Sequence, residues 1–177
     1  QLHPDDEQRQ RHCLRLAKGH PLYLRQTLLC AHSDNRIPES LEQLVLAQMS
    51  QLPVSDLGAI KAASVFGQCF GLDQLRFVVD NPAYLPDHLL ALGLIKKTGR
   101  QYMFHHDLIC TAVNHQLPAA QLKQVNLRCA QWYQSRNPFL YAMHNYQANA
   151  DNAYELLIET ARHYINNFHP DQALQLI

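Results

Sequence analysis

Residues 94 to 113 constrain the fold more than any other stretch. Leu94-Ile95-Lys96-Lys97, a turn at Thr98-Gly99-Arg100, and Gln101 to His106 read as two short strands of an antiparallel ribbon. The second strand passes directly into Leu108, Ile109, Ala112 and Val113, whose spacing is helical. A ribbon of two strands is marginal in water by itself, so this one must lie against helices. The junction residues His105, His106 and Asp107 stay near solvent, while the apolar residues behind them seek a core. Such a junction faces something.

The flanks supply the helices. Ser40 is a candidate cap for a helix with Leu41, Leu44, Val45 and Met49 on one side, stopped by Pro53. Ser55 is a candidate cap for a second, which carries Leu57, Ile60, Ala63 and Val65-Phe66 to Gly67. A third runs from Leu72 to Val79 and closes at Asn81-Pro82; Pro86 opens a fourth, Asp87 to Leu92, ended by Gly93. Several helices followed by one hairpin is the arrangement of a winged helix. After the hairpin come Asp107 to Gln116 and Ala119 to Gln134, the latter with Leu122, Val125, Cys129, Trp132 and Tyr133 spaced for burial. Short helical segments follow: Phe139 to Tyr146, Asn152 to Tyr164 and Pro170 to Ile177. They mix small residues with aromatics, as closely stacked helix pairs require in tetratricopeptide-like arrays. Ahead of all this, Asp5 to Cys30 reads as two helices broken at Gly19-His20-Pro21.

Composition narrows the class. A chain of 177 residues, 47% of them apolar, can bury a real core, as one large domain or two small ones. No stretch approaches the roughly 18 consecutive apolar residues of a membrane span. Gln1 to Glu7 lack the basic start and apolar run of a signal peptide, so a cytoplasmic setting is expected. Fifteen basic residues balance fifteen acidic ones, which argues against a broad nucleic-acid footprint. Cys13, Cys30, Cys69, Cys110 and Cys129 are odd in number and widely spaced, which favours buried free thiols over a disulfide framework. The opening Gln1 and the apolar ending at Ile177 read as an excerpt from a longer protein.

The chain lacks a Gly-x-x-x-x-Gly-Lys-Ser/Thr loop, so it has nothing to cradle a triphosphate or hold its magnesium. It is not expected to hydrolyse ATP. His106 and Cys110 lie one helical turn apart with His105 adjacent, but zinc normally takes three or four ligands and no Cys-x-x-Cys pair is offered. The helix before the hairpin, Pro86 to Leu92, has no arginine or lysine for phosphates or guanine edges, although Lys96, Lys97 and Arg100 make the wing basic. Gly19-His20-Pro21 reads either as a loop and helix start or as a close backbone approach with a rigid ring offered to a base. His106 reads either as a local cap or as a donor aimed at a phosphate.

Taken in order, GHPLYLRQTLL at 19–29, SLEQLVLAQMSQLP at 40–53, IKAASVFGQCF at 60–70, LLALGLIKKTGRQYMFHHDLICTAV at 89–113 and the helix carrying Gln121 to Tyr133 form a recognisable series. The series resembles the regulatory half of the signal-transduction ATPases with numerous domains, the STAND class. It looks most like the group joined to LuxR-type or MalT-like regulators, adenylate cyclases and Ser/Thr kinases. That resemblance implies a mainly α chain: the end of a helical lid domain at 1–36, a winged-helix domain with one small β-hairpin at 37–117, then a helical linker and tetratricopeptide-like helical hairpins at 118–177.

It further implies that Gly19 and Pro21 lie near an adenine, and that His106 with Asp107 forms the His-Asp pair that contacts ADP. The motif here is His-His-Asp rather than Met-His-Asp, with Asp107 expected to cap the following helix and fix His106. ADP or ATP would be bound only in the full-length protein, whose upstream P-loop ATPase domain would supply both Walker segments. A small-molecule or protein effector would act at the helical repeats, with no membrane and no nucleic-acid partner. A DNA-binding winged-helix module and a helical scaffold with no nucleotide role are the alternatives.

Overall fold

The computed structural model describes residues 41–166, which contain eight helices and three strands. Helix α1, Leu41–Met49, buries Val45, Gln48 and Met49, and Leu52 joins them before Pro53 interrupts the chain. Helix α2, Val54–Phe66, follows at once and buries Ala59, Ile60, Ala62 and Ala63. Its N-cap is Pro53 without a side-chain bond, not the expected Ser55; proline at this boundary needs no donor, and its carbonyl accepts from Leu57 N at 2.9 Å. Gly67 ends α2 with φ of 95°, a left-handed value that side chains resist and that turns the chain into strand β1, Cys69–Gly71.

Strand β1 is the element that sequence periodicity does not reveal, because three residues are too few to show alternation. Helix α3, Leu72–Val79, and helix α4, Asp87–Ala91, separate it from strands β2, Ile95–Thr98, and β3, Gln101–Phe104. The expected hairpin is present and carries the third strand on its far side, in the order β1-β3-β2, all antiparallel. Phe70 pairs with Tyr102, and Ile95 with Phe104. The Phe70 ring lies 6.0 Å from that of Phe104 and 6.1 Å from that of Tyr102. Gly99, at φ of 60°, makes the two-residue turn between β2 and β3. Helix α5, Asp107–His115, then packs against α1 and α2 through Ile109, Ala112 and Val113. Leu108, expected inside, is 46% exposed: it stands in the first turn of α5 at the margin of the face formed by those three, on the side of Ala112.

Residues 41–71 and 85–116 form one compact unit, and residues 72–84 with 117–166 form another. In the second, α3 packs on helix α6, Ala119–Tyr133; α6 packs on helix α7, Pro138–Gln147; and α7 packs on helix α8, Ala153–Asn166. Small residues at the contacts, Ala130, Ala142, Ala153 and Ala161, let the helices approach closely. Phe139, Met143, Leu156 and Tyr164 close over the cluster of Ala142, Leu157 and Ala161. Asn137 starts α7, its Oδ1 accepting from Leu140 N at 3.0 Å, and Asn149 and Asn152 take left-handed backbone in the α7–α8 connection. Consecutive helices stacked through short connections are tetratricopeptide-like hairpins.

The fold class is therefore mainly α with a small antiparallel sheet, in a winged-helix-like order followed by helical hairpins. Within the described residues no helix is long and apolar enough to cross a membrane.

Candidate functional site

The junction between β3 and α5 is positioned from both sides. Phe104, with no exposed surface, anchors the end of β3; its N–H donates to Gln68 O at 3.0 Å, and its carbonyl accepts from Gln68 Nε2 at 3.0 Å. Gln68 thus clamps both backbone groups of the residue before the histidines. Sequence reasoning missed it, because a lone glutamine in a connection carries no signal until β1 and β3 are known to pair. Its Oε1 is buried without a hydrogen-bond partner. His105 N donates to Leu94 O at 3.0 Å, extending the β2–β3 ladder by one rung.

His106 is the N-cap of α5, in extended backbone, with its Nδ1 accepting from Leu108 N at 3.2 Å. The expected capping residue, Asp107, is instead the first helical residue; its Oδ1 accepts from the same N–H at 2.9 Å and touches His106 Nδ1. The two side chains share one donor, so the aspartate still steadies the ring, from inside the helix rather than at its cap. The His106 side chain is 35% exposed and that of Asp107 75%. His106 and Asp107 are thus brought together, whereas Gly19 and Pro21 lie outside the described residues.

Cys110 lies one turn further along. Its thiol donates to Ser64 O at 3.7 Å, and burial, then the charge of Asp107, push its pKa up to about 11. Burial alone takes Cys129 to about 12. Cys69, by contrast, is an exposed free thiol, because the outer face of a short edge strand is open to solvent. Cys13 and Cys30 fall outside the described residues. Among the described residues no group of three or more His, Cys, Asp or Glu is placed to hold a metal ion.

On the same unit, Lys96, Lys97 and Arg100 are exposed on the hairpin, but α4 exposes Asp87, His88 and Ala91 rather than any cation. His88 Nδ1 is 2.8 Å from Oδ2 of the buried Asp56, which ties α4 to α2. A helix so equipped has no guanidinium or ammonium group to offer phosphates or guanine edges.

No known family model matches the chain, and no curated protein matches it. Among solved structures it is similar to a signal-transduction ATPase with numerous domains that carries a tetratricopeptide repeat sensor, from Pyrococcus horikoshii, with a TM-score of 0.64 and 20% sequence identity over 92% of this chain. The chain spans only 30% of that protein's length. At this identity the likeness establishes a shared fold: the helices, the small sheet and the helical hairpins follow one another as they do in a portion of that larger protein.

Proposed function

We propose that the chain is a non-catalytic regulatory portion of a signal-transduction ATPase with numerous domains, in which the His106-Asp107 junction helps to hold ADP. The observation that carries this reading is the fold likeness running through 92% of the chain. Support comes from the His-Asp pair standing at a strand-to-helix junction and ordered by its own backbone. The nucleotide brings anionic phosphates, and the donor set meets them through His106. Asp107 is an acceptor whose charge opposes an anion, so its role is to hold the imidazole and the helix start. Gly19 and Pro21 complete the site in this reading, beside an adenine.

The partner is a P-loop ATPase domain of the same longer chain, and the helical unit relays nucleotide state to a sensor for a small-molecule or protein effector. Exchange of ADP for ATP acts as a switch because the two differ in the contacts they offer His106. A few kcal/mol of such difference is enough to shift a two-state balance, and about 5.5 kcal/mol moves it from 1:99 to 99:1. The subgroup joined to LuxR-type or MalT-like regulators, cyclases or kinases, and a cytoplasmic setting, belong to the same reading.

The test is titration with ADP and ATP of a longer form that retains the ATPase domain. His106→Ala is expected to weaken ADP about tenfold and ATP less, the worth of one hydrogen bond to a charged group. Unchanged affinity for both nucleotides removes His106 from the site and the reading with it.

A further inference from the structure

Within the second unit, α3 and the residues after it border, with α6, an open cleft of about 380 Å³ that shares no residue with the His106 junction. Asp73, Arg76 and Phe77 share one face of α3 by their i, i+3, i+4 spacing, Asp80 follows just past the helix end with left-handed backbone at φ of 57°, and Arg128 and Trp132 face them from α6. Two guanidinium groups and two carboxylates therefore line one small space. Their pairings are loose. Arg128 Nη2 stands 3.4 Å from Asp80 Oδ2 and Arg76 Nη1 stands 3.6 Å from Asp73 Oδ1, both longer than a tight charge-assisted hydrogen bond of about 2.8 Å. The two carboxylates are 81% and 87% exposed.

Arg76 is nonetheless fixed in place, because its Nε donates to Tyr84 O at 2.9 Å and holds the plane of the guanidinium. Between the charges is an apolar wall. The rings of Phe77 and Trp132 meet at 5.3 Å, Arg136 covers one face of the Trp132 ring at 4.0 Å, and Phe77 is 43% exposed.

This chemistry selects its ligand. An anion alone would gain the guanidinium groups but meet two carboxylates; a cation alone would face the reverse. A molecule carrying both charges on a short apolar body satisfies each set and covers the exposed ring. We propose that the cleft is a binding site for a free amino acid with a large apolar side chain. Its carboxylate meets Arg128 and Arg76, its ammonium meets Asp80 and Asp73, and its side chain lies on Phe77 and Trp132. The volume stands at the lower end of the range for small-molecule clefts, which suits such a ligand better than a folded partner.

Trp132 is the only tryptophan of the 177-residue chain, so its emission reports the cleft directly. L-Phenylalanine and L-leucine are expected to change that emission saturably. 3-Phenylpropionate, which lacks the ammonium, and phenethylamine, which lacks the carboxylate, are each expected to bind at least about tenfold more weakly than L-phenylalanine. Arg128→Gln and Asp80→Asn should each weaken L-phenylalanine by about the same factor, with little change in melting temperature because these exposed pairs contribute little to folding.

No saturable response to either amino acid overturns the proposal. So does equal binding by either single-charge analogue, or wild-type affinity in Arg128→Gln. No nucleotide enters this measurement, so its failure leaves the reading of His106 standing, and failure of that reading leaves the cleft.

Discussion

The two compact units fill their interiors by different means. The unit of residues 41–71 and 85–116 is built on large apolar side chains with almost no exposed surface: Ile60, Phe70, Leu89, Leu94, Ile95, Phe104, Ile109 and Val113. The helical unit buries Leu75, Val78, Tyr84 and Leu157 beside Cys129 and a series of alanines, and its interior also takes in a polar chain. Gln74 Nε2 donates to the Tyr133 hydroxyl, the Tyr133 ring stacks on His144 at 5.5 Å, and His144 Nδ1 donates to Asn126 Oδ1 at 2.9 Å. Asn126 Nδ2 in turn donates to Leu122 O at 3.0 Å. The first arrangement concentrates stability in few residues. The second spreads it over close helix contacts and makes it depend on protonation.

That contrast is most sharply broken by removing one large ring. Phe104→Ala is expected to destabilise the first unit by about 3–5 kcal/mol, the usual cost of deleting a fully buried aromatic side chain. Urea denaturation followed by far-UV circular dichroism measures it. A loss below about 1 kcal/mol would mean that this interior collapses around the gap and is no stiffer than the helical one.

The next effect belongs to the helical unit alone. Burial lowers the pKa of His144 from an ordinary 6.5 to about 4. The unfolded chain therefore takes up a proton first as pH falls, so the stability from a neutral His144 is fully present above about pH 6.5 and is lost progressively toward pH 4. The loss is on the order of 3 kcal/mol. Melting curves of wild type and His144→Gln across that window should diverge at neutral pH and converge on acidification. Parallel curves would show that the polar chain does not sense protonation.

The smallest effect compares the two helix starts. Asn137 bonds the third N–H of α7, whereas His106 bonds the second of α5 and shares that donor with Asp107. Asn137→Ala is expected to cost about 1 kcal/mol, and His106→Ala measurably less, since Asp107 still satisfies Leu108 N. Equal losses in chemical denaturation would make His106 a structural cap like any other.

Much of the fold was legible in the residues. The turn at Gly99, the stops at Pro53 and Asn81-Pro82, and the 3.6-residue spacing in α5 and α6 all reflect local backbone rules that act whatever the surroundings. Strand β1 was not legible, since Cys69-Phe70-Gly71 becomes a strand only by pairing with β3, some thirty residues away in sequence. At the junction, the identity of His106 and Asp107 was readable, but the order of their roles was not. Which of two adjacent acceptors becomes the cap depends on where β3 releases the chain, and Gln68 sets that place through Phe104.

The residues by themselves determined that helices stop at Pro53 and before Asn81-Pro82, that a ribbon runs straight into a helix, and that no phosphate-cradling loop is present, because propensity, turn chemistry and motif spacing act over a few neighbouring positions. Only the tertiary structure decided that β1 completes the sheet, that Leu108 stays outside, and that Asp73, Arg76, Phe77 and Asp80 meet Arg128 and Trp132 around one cleft. Those outcomes depend on contacts between segments tens of residues apart, whose free energy exists only once the chain has closed on itself.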